Sequence, residues 1–94
     1  MESYKFKGKV ISIGELFESG SSDFKKQAIA IETDGDYKEK IPVEFIKGKI
    51  ELLDVVNIGS IVEVTCNVRG REWENPQGEK KYFLSLSCWK LEIK

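Results

Sequence analysis

Residues 47–59, KGKIELLDVVNIG, carry the helical signal in a chain otherwise written in strands. Ile50, Leu53 and Val56 recur at helical spacing between Lys47 and Asn57. Asn57 and Gly59 are the residue types that close a helix. One short helix of two or three turns is expected here. Its meaning depends on what flanks it.

Upstream lie three strand signals. The first runs from Tyr4 to Ile13, with Tyr4, Phe6, Gly8 and Val10 on one side and Lys5, Lys7 and Lys9 on the other. Gly14 to Asp23, with Gly20-Ser21-Ser22 inside it, reads as a loop. The second strand is expected from Phe24 to Thr33. Asp34-Gly35-Asp36 reads as a tight turn, and the third strand is expected from Tyr37 to Ile46. Pro42 lacks an N–H for a ladder, so the third strand has an edge or a bulge at that point. Downstream, the fourth strand is expected from Ile61 to Trp73 and the fifth from Lys80 to Ile93, joined by Asn75-Pro76-Gln77-Gly78. Pro at the second position and Gly at the fourth fit a type I turn with Gly78 in a left-handed bulge. The order is strand, strand, strand, helix, strand, strand. That is an all-β five-stranded OB-fold barrel, and the helix between the third and fourth strands is what separates it from an SH3-like barrel, the main rival.

The 94 residues fit one domain, 1–94. Apolar residues make up 40% and charged residues 33%, as in ordinary globular proteins. No apolar run reaches membrane-spanning length, and Met1 to Lys9 lacks the apolar stretch of a signal peptide, so a cytoplasmic protein that does not enter membranes is expected. The formal net charge of −1 argues against strong nonspecific binding of duplex DNA, although a local basic groove is compatible with it. The chain has no His, which removes the commonest general base and metal ligand. Cys66 and Cys88 cannot build a four-ligand zinc site and read as buried reduced thiols. There is no nucleophile elbow, and Gly14 to Ser22 lacks the Lys and following helix of a phosphate loop. No enzymatic activity and no cofactor are expected.

The register of the last hairpin follows from its turn. With Pro76-Gln77-Gly78 as the loop, Asn75 pairs with Glu79, Trp73 with Lys81, Arg71 with Phe83 and Arg69 with Ser85. These side chains share one face. The other face sets Val68 against Leu86 and Cys66 against Cys88. A bulge near Trp89 is expected to turn Trp89, Leu91 and Ile93 inward, and Tyr82 is expected to close the barrel end. Arg69, Arg71, Trp73, Lys81 and Phe83 then form an aromatic-basic patch. Cations meet phosphates, and flat rings stack on unpaired bases at about 1–3 kcal/mol each. Phe24, Lys25 and Lys26, where the first loop enters the second strand, fit a second wall. Tyr37, Lys38 and Lys40 fit an extension of the track. Trp73 and Phe83 also fit packing against the first loop or a subunit interface, and Arg69 and Arg71 also read as surface residues paired with Glu72, Glu74 or Glu79. Lys5, Lys7 and Lys9 read as a solvated strand face.

Five runs resemble a known family: Phe24 to Gln27, Ile31 to Asp34, Asn57 to Val64, Gly70 to Trp73 and Cys88 to Glu92. The sequence is similar along nearly its whole length to a small bacterial and phage family carried as a domain of unknown function (3127). The resemblance implies an OB-like fold akin to single-stranded DNA-binding proteins, and it brings no catalytic motif. Bacterial single-stranded DNA-binding proteins also have a long flexible tail with an acidic tip. The sequence ends at Lys94 without one, so recruitment of partners through such a tail is not expected. The expected function is sequence-tolerant binding of single-stranded DNA in replication, recombination or repair. RNA fits the same chemistry. A protein-interaction or assembly module, in a homo-oligomer, is the alternative.

Overall fold

Alternating strands and one short helical segment produce the elements β1 (Ser3–Ile13), β2 (Phe17–Glu18), β3 (Lys25–Thr33), β4 (Lys40–Ile46), a 3₁₀ helix (Lys47–Val55), β5 (Ile61–Glu74) and β6 (Lys80–Ile93). The structure, a computed structural model, describes residues 3–18 and 24–94. Gly20-Ser21-Ser22 of the expected first loop lies outside the described residues.

The strands close into a ring in the order β1-β5-β6-β4-β3, with β1 pairing back onto β3 and β2 added beside β3. This is the five-stranded OB barrel expected from the sequence. Closure depends on β1 serving two partners. Ser3 to Lys9 pair antiparallel with β5, and Gly8 to Ile13 pair with β3 across a bulge between Val10 and Ser12. Gly8 sits at the changeover. A Cβ there would lie 2.4 Å from the Glu32 carbonyl oxygen and 2.6 Å from Ile31 Cγ2, so the two strands meet only because the side chain is absent. On the other side of the ring β4 and β6 meet through one parallel pair, Glu44 with Ser87. Pro42 opposes Ala30 of β3, away from that single pair, so its missing N–H costs no ladder bond on the open side.

The core is built from the inward rows: Val10 of β1, Ile29 and Ile31 of β3, Val43 and Phe45 of β4, Val62, Val64 and Cys66 of β5, and Cys88 of β6. Burying an aliphatic or Phe side chain of this kind contributes about 1.5–3 kcal/mol. The helix plugs one end. Leu53 and Val56 are buried and Ile50 packs against them. Their spacing of three matches the three residues per turn of a 3₁₀ helix, which is the form observed. Gly59, at φ +97°, turns the chain out of the helix. Its N–H donates to the Val10 carbonyl at 2.7 Å, and the Val10 N–H donates to the Ser60 carbonyl at 2.8 Å, tying the turn to β1.

Three expectations need correction. Asp34 to Glu39 form a longer connection than a tight turn, because Thr33 and Glu39 close it from both sides. The Thr33 N–H donates to the Glu39 carbonyl at 2.9 Å and the Glu39 N–H to Thr33 Oγ1 at 3.0 Å. β4 therefore starts at Lys40. The first loop contains β2, whose Phe17 and Glu18 pair with Lys26 and Lys25. Tyr82 does not close the barrel end and is 73% exposed.

The β5–β6 register is the one the turn dictates, including Cys66 opposite Cys88. Both thiols are free and buried. The hydrogen bond to Cys88 and burial push the Cys66 pKa up, and Cys88 Sγ donates to the Lys90 carbonyl at 3.1 Å. No helix among the described residues is long and apolar enough to cross a membrane.

Candidate nucleic-acid interface

The β5–β6 hairpin outruns the barrel. From Gly70 to Leu84 every residue except Asn75 is exposed. The Cα radius of gyration, 14.6 Å, exceeds the roughly 12 Å of a compact chain this long, as a projecting arm requires. The turn at its tip is fixed by Asn75, whose Oδ1 accepts from the Gln77 N–H at 3.0 Å and the Glu79 N–H at 2.8 Å, while Gly78 takes φ +84°. Hydrogen-bonded at the tip and paired along its length, the arm holds its side chains in two rows.

One row carries the patch. Trp73 faces Lys81, Arg71 faces Phe83 and Arg69 faces Ser85. Trp73 is 48% exposed and Phe83 47%. The Arg71 guanidinium lies over the Phe83 ring at 5.5 Å from its centre, a cation–π contact worth about 0.5–1 kcal/mol at an exposed site. Among the described residues, Arg69 and Arg71 pair with none of the acids expected to neutralise them. Glu72 bridges Lys80 at 3.3 Å and Glu79 accepts from Asn75 at 3.2 Å. The hairpin alternation sends Glu72 and Glu74 to the opposite row.

Opposite the patch stands the outer face of β3 and β4. Ile29, Ile31, Val43 and Phe45 point inward, so Lys26, Ala28, Ala30, Pro42 and Glu44 point outward. Between this wall and the arm lies a cleft of about 440 Å³ lined by Lys26, Glu44, Arg69, Arg71, Phe83 and Ser85, among others. Lys26 is held there by Glu44 at 3.6 Å and lies 5.8 Å from the centre of the Phe17 ring. Beyond Lys26 the wall offers small side chains, which let a flat ligand approach the sheet.

The structure therefore brings Trp73, Lys81, Arg71, Phe83, Arg69 and Lys26 onto one continuous surface, with Phe24 beside it. It does not bring the others there. Lys25 is one residue from Lys26 on β3 and so projects to the opposite side of the strand. Tyr37, Lys38 and Lys40 sit at the far end of the β3–β4 pair, about 20 Å from Lys26 by strand rise. Lys38 bridges Glu32 at 3.9 Å and lines a separate cleft with Lys7, Lys9 and Glu32, and Tyr37 stands 87% exposed. Lys5 pairs with Glu63 at 4.0 Å, and Lys5, Lys7 and Lys9 are exposed, as a solvated strand face requires.

Trp89 is a further residue that sequence reasoning misplaced. The bulge falls where expected, since Cys66 pairs with Cys88 but Thr65 pairs with Lys90, leaving Trp89 as the extra residue. The bulge returns Leu91 to the core side, while Trp89 points outward and is 41% exposed; Ile93 is 48% exposed. Plain alternation from buried Cys88 would have found this, because the neighbour of an inward residue points out.

Over residues 5–92 the sequence matches a family described as a domain of unknown function (DUF3127). The chain belongs to that family. No curated protein matches it at the sequence level. Crystal structures of the mitochondrial single-stranded DNA binding protein Rim1 from S. cerevisiae are similar in shape. One crystal form superposes with a TM-score of 0.76 at 13% identity, covering 98% of this chain and 94% of that one. A second form gives 0.73 at 17% identity, covering 98% and 93%. A selenomethionine crystal of that second form gives 0.66 at 21%, again covering 98% and 93%. At these identities the likeness shows that this family member has the same OB architecture.

Proposed function

We propose that the chain binds single-stranded nucleic acid, DNA in the first instance, without strong sequence preference, and serves DNA replication, recombination or repair as a non-enzymatic binding module. One observation carries the reading: two half-exposed rings, Trp73 and Phe83, share a row with Arg69, Arg71 and Lys81 on an arm that projects from the barrel. Rings accept any base on their faces, and the interleaved cations take the phosphates between them. The yeast mitochondrial protein Rim1, which has the same architecture, is a single-stranded DNA binding protein, and this supports the reading.

The alternative places a subunit contact on this patch. Its weakness is where the apolar side chains lie. Tyr82 and Leu84, each 73% exposed, and Val68, 42% exposed, occupy the other row of the arm. A contact between copies has that row available, and the charged row is left for phosphates.

The test is Trp73→Ala. Oligonucleotide affinity should fall by about 1–3 kcal/mol, the value of one base stack. The melting temperature should barely move, because a half-exposed side chain beyond the barrel supports no core. A large drop in melting temperature, or unchanged affinity with an altered oligomeric state, would remove the central residue of the reading.

A further inference from the structure

A second cleft, also of about 440 Å³, continues the face past Arg69 toward the helix. Trp89 and Phe24 line it, with Lys47 and Lys49 from the helix and Asn67 and Arg69 from β5. Arg69 lines both clefts, so the two adjoin at that side chain. Among the described residues, Lys47, Lys49 and Arg69 lie within ion-pair distance of no carboxylate. Lys47 also holds φ +54°, a left-handed backbone that L side chains rarely adopt, at the entry to the helix. The bulge that makes Trp89 the extra residue of β6 aims its ring outward beside these cations. A flat ring, three unneutralised cations and an amide are the parts of a nucleotide site: stacking surface, phosphate contacts and a hydrogen-bonding group for a base edge. Asn67 already accepts from Ser3 Oγ at 3.0 Å through Oδ1, which leaves its amino group as the donor toward a base.

Building on the reading of the arm as a single-strand binder, we infer that the Trp89 cleft is a second nucleotide subsite on the same strand path. One base stacks on Trp89 while Lys47, Lys49 and Arg69 hold the flanking phosphates. Phe83 and Trp89 are six residues apart on β6, or about 20 Å by strand rise. At the 3.4 Å per nucleotide of a stacked strand this is about six nucleotides, and fewer for an extended one. The bound strand thus runs from the arm's tip to the helix.

The chain contains two Trp, so each can be watched alone. Trp73→Phe leaves Trp89 as the sole indole, and Trp89→Phe leaves Trp73. Both variants are titrated with a twelve-nucleotide oligo(dT) while indole emission is followed. Quenching in both variants is expected. In addition, Trp89→Ala and the Lys47→Ala/Lys49→Ala double variant should each bind at least about fivefold more weakly with near-native melting temperatures, fivefold being the low end for one stack. Quenching of Trp73 but not Trp89, with affinity untouched in the Trp89 and lysine variants, would overturn the second subsite and leave the arm reading intact. An absence of binding by the unmodified protein would overturn both.

Discussion

A methyl group on Gly8 has nowhere to go. It would lie 2.4 Å from a backbone oxygen that belongs to the opposing strand and cannot swing aside. Gly8→Ala must therefore push β1 away from β3 at the point where the barrel closes. The expected cost is about 1–3 kcal/mol, as for other overpacked positions. Urea unfolding should show the midpoint falling, and a melting temperature lower by about 4–8 °C per kcal/mol is the thermal counterpart. An unchanged midpoint would mean the strands meet less closely than described. At this scale the sequence is partly legible. Gly8 is readable as an inward position in an alternating strand, but the crossing that needs it is not, since pairing with two partners is a property of the closed ring. Trp89 shows the opposite failure. Its hydrophobicity suggests core, although the parity of its neighbour Cys88 already places it outside.

Among the elements, the arm is the one whose role and stability separate. Its register follows from four turn residues, because Pro76 and Gly78 fix the loop and each facing pair then follows by counting. How far the barrel extends along it cannot be counted the same way. Tyr82 and Leu84 sit on the nominal core row, yet each is 73% exposed, and among the described residues no other element covers them. Excising residues 70–84 and joining Arg69 to Ser85 through an Asn-Gly turn should leave the barrel folded, with a melting temperature within a few degrees of the parent. The same excision removes Trp73, Phe83, Arg71 and Lys81 and should reduce oligonucleotide affinity by an order of magnitude or more, since at least one stack and two cations are lost. An unfolded product would show that the arm supports the core. A folded product with parental affinity would move the binding face elsewhere. The helix teaches a smaller lesson. The three-residue spacing of Ile50, Leu53 and Val56 reads as generic helix, because residues three apart share a face in both α and 3₁₀ forms; the structure adopts the 3₁₀ form over Lys47–Val55.

For the whole molecule, net charge and local charge point in different directions. The chain carries a formal −1, with 15 basic and 16 acidic side chains. The fold sorts them. Strand alternation puts Glu72 on the far row of the arm, where it bridges Lys80, and Glu63 and Glu92 are grouped with Lys94 near the end of β6. Lys94 lowers the Glu92 pKa, and Glu92 raises that of Lys94. Among the described residues, Arg69, Arg71, Lys47 and Lys49 stay unneutralised along the two clefts and Lys81 stays unneutralised on the arm facing Trp73, with Lys26 shared with Glu44. Composition alone hides this groove, because a sum of charges does not record which strand face each one occupies. On the proposed reading this groove holds a single strand by phosphate contacts and stacking together, and the salt dependence of binding measures that hold directly. A labelled oligo(dT) titrated at several salt concentrations should bind at low salt, and binding should weaken as salt rises. Four to six phosphate contacts give a log–log slope of about −3 to −4 for a single strand, with residual affinity from stacking at high salt. Failure to bind at low salt, or binding that ignores salt altogether, would contradict it.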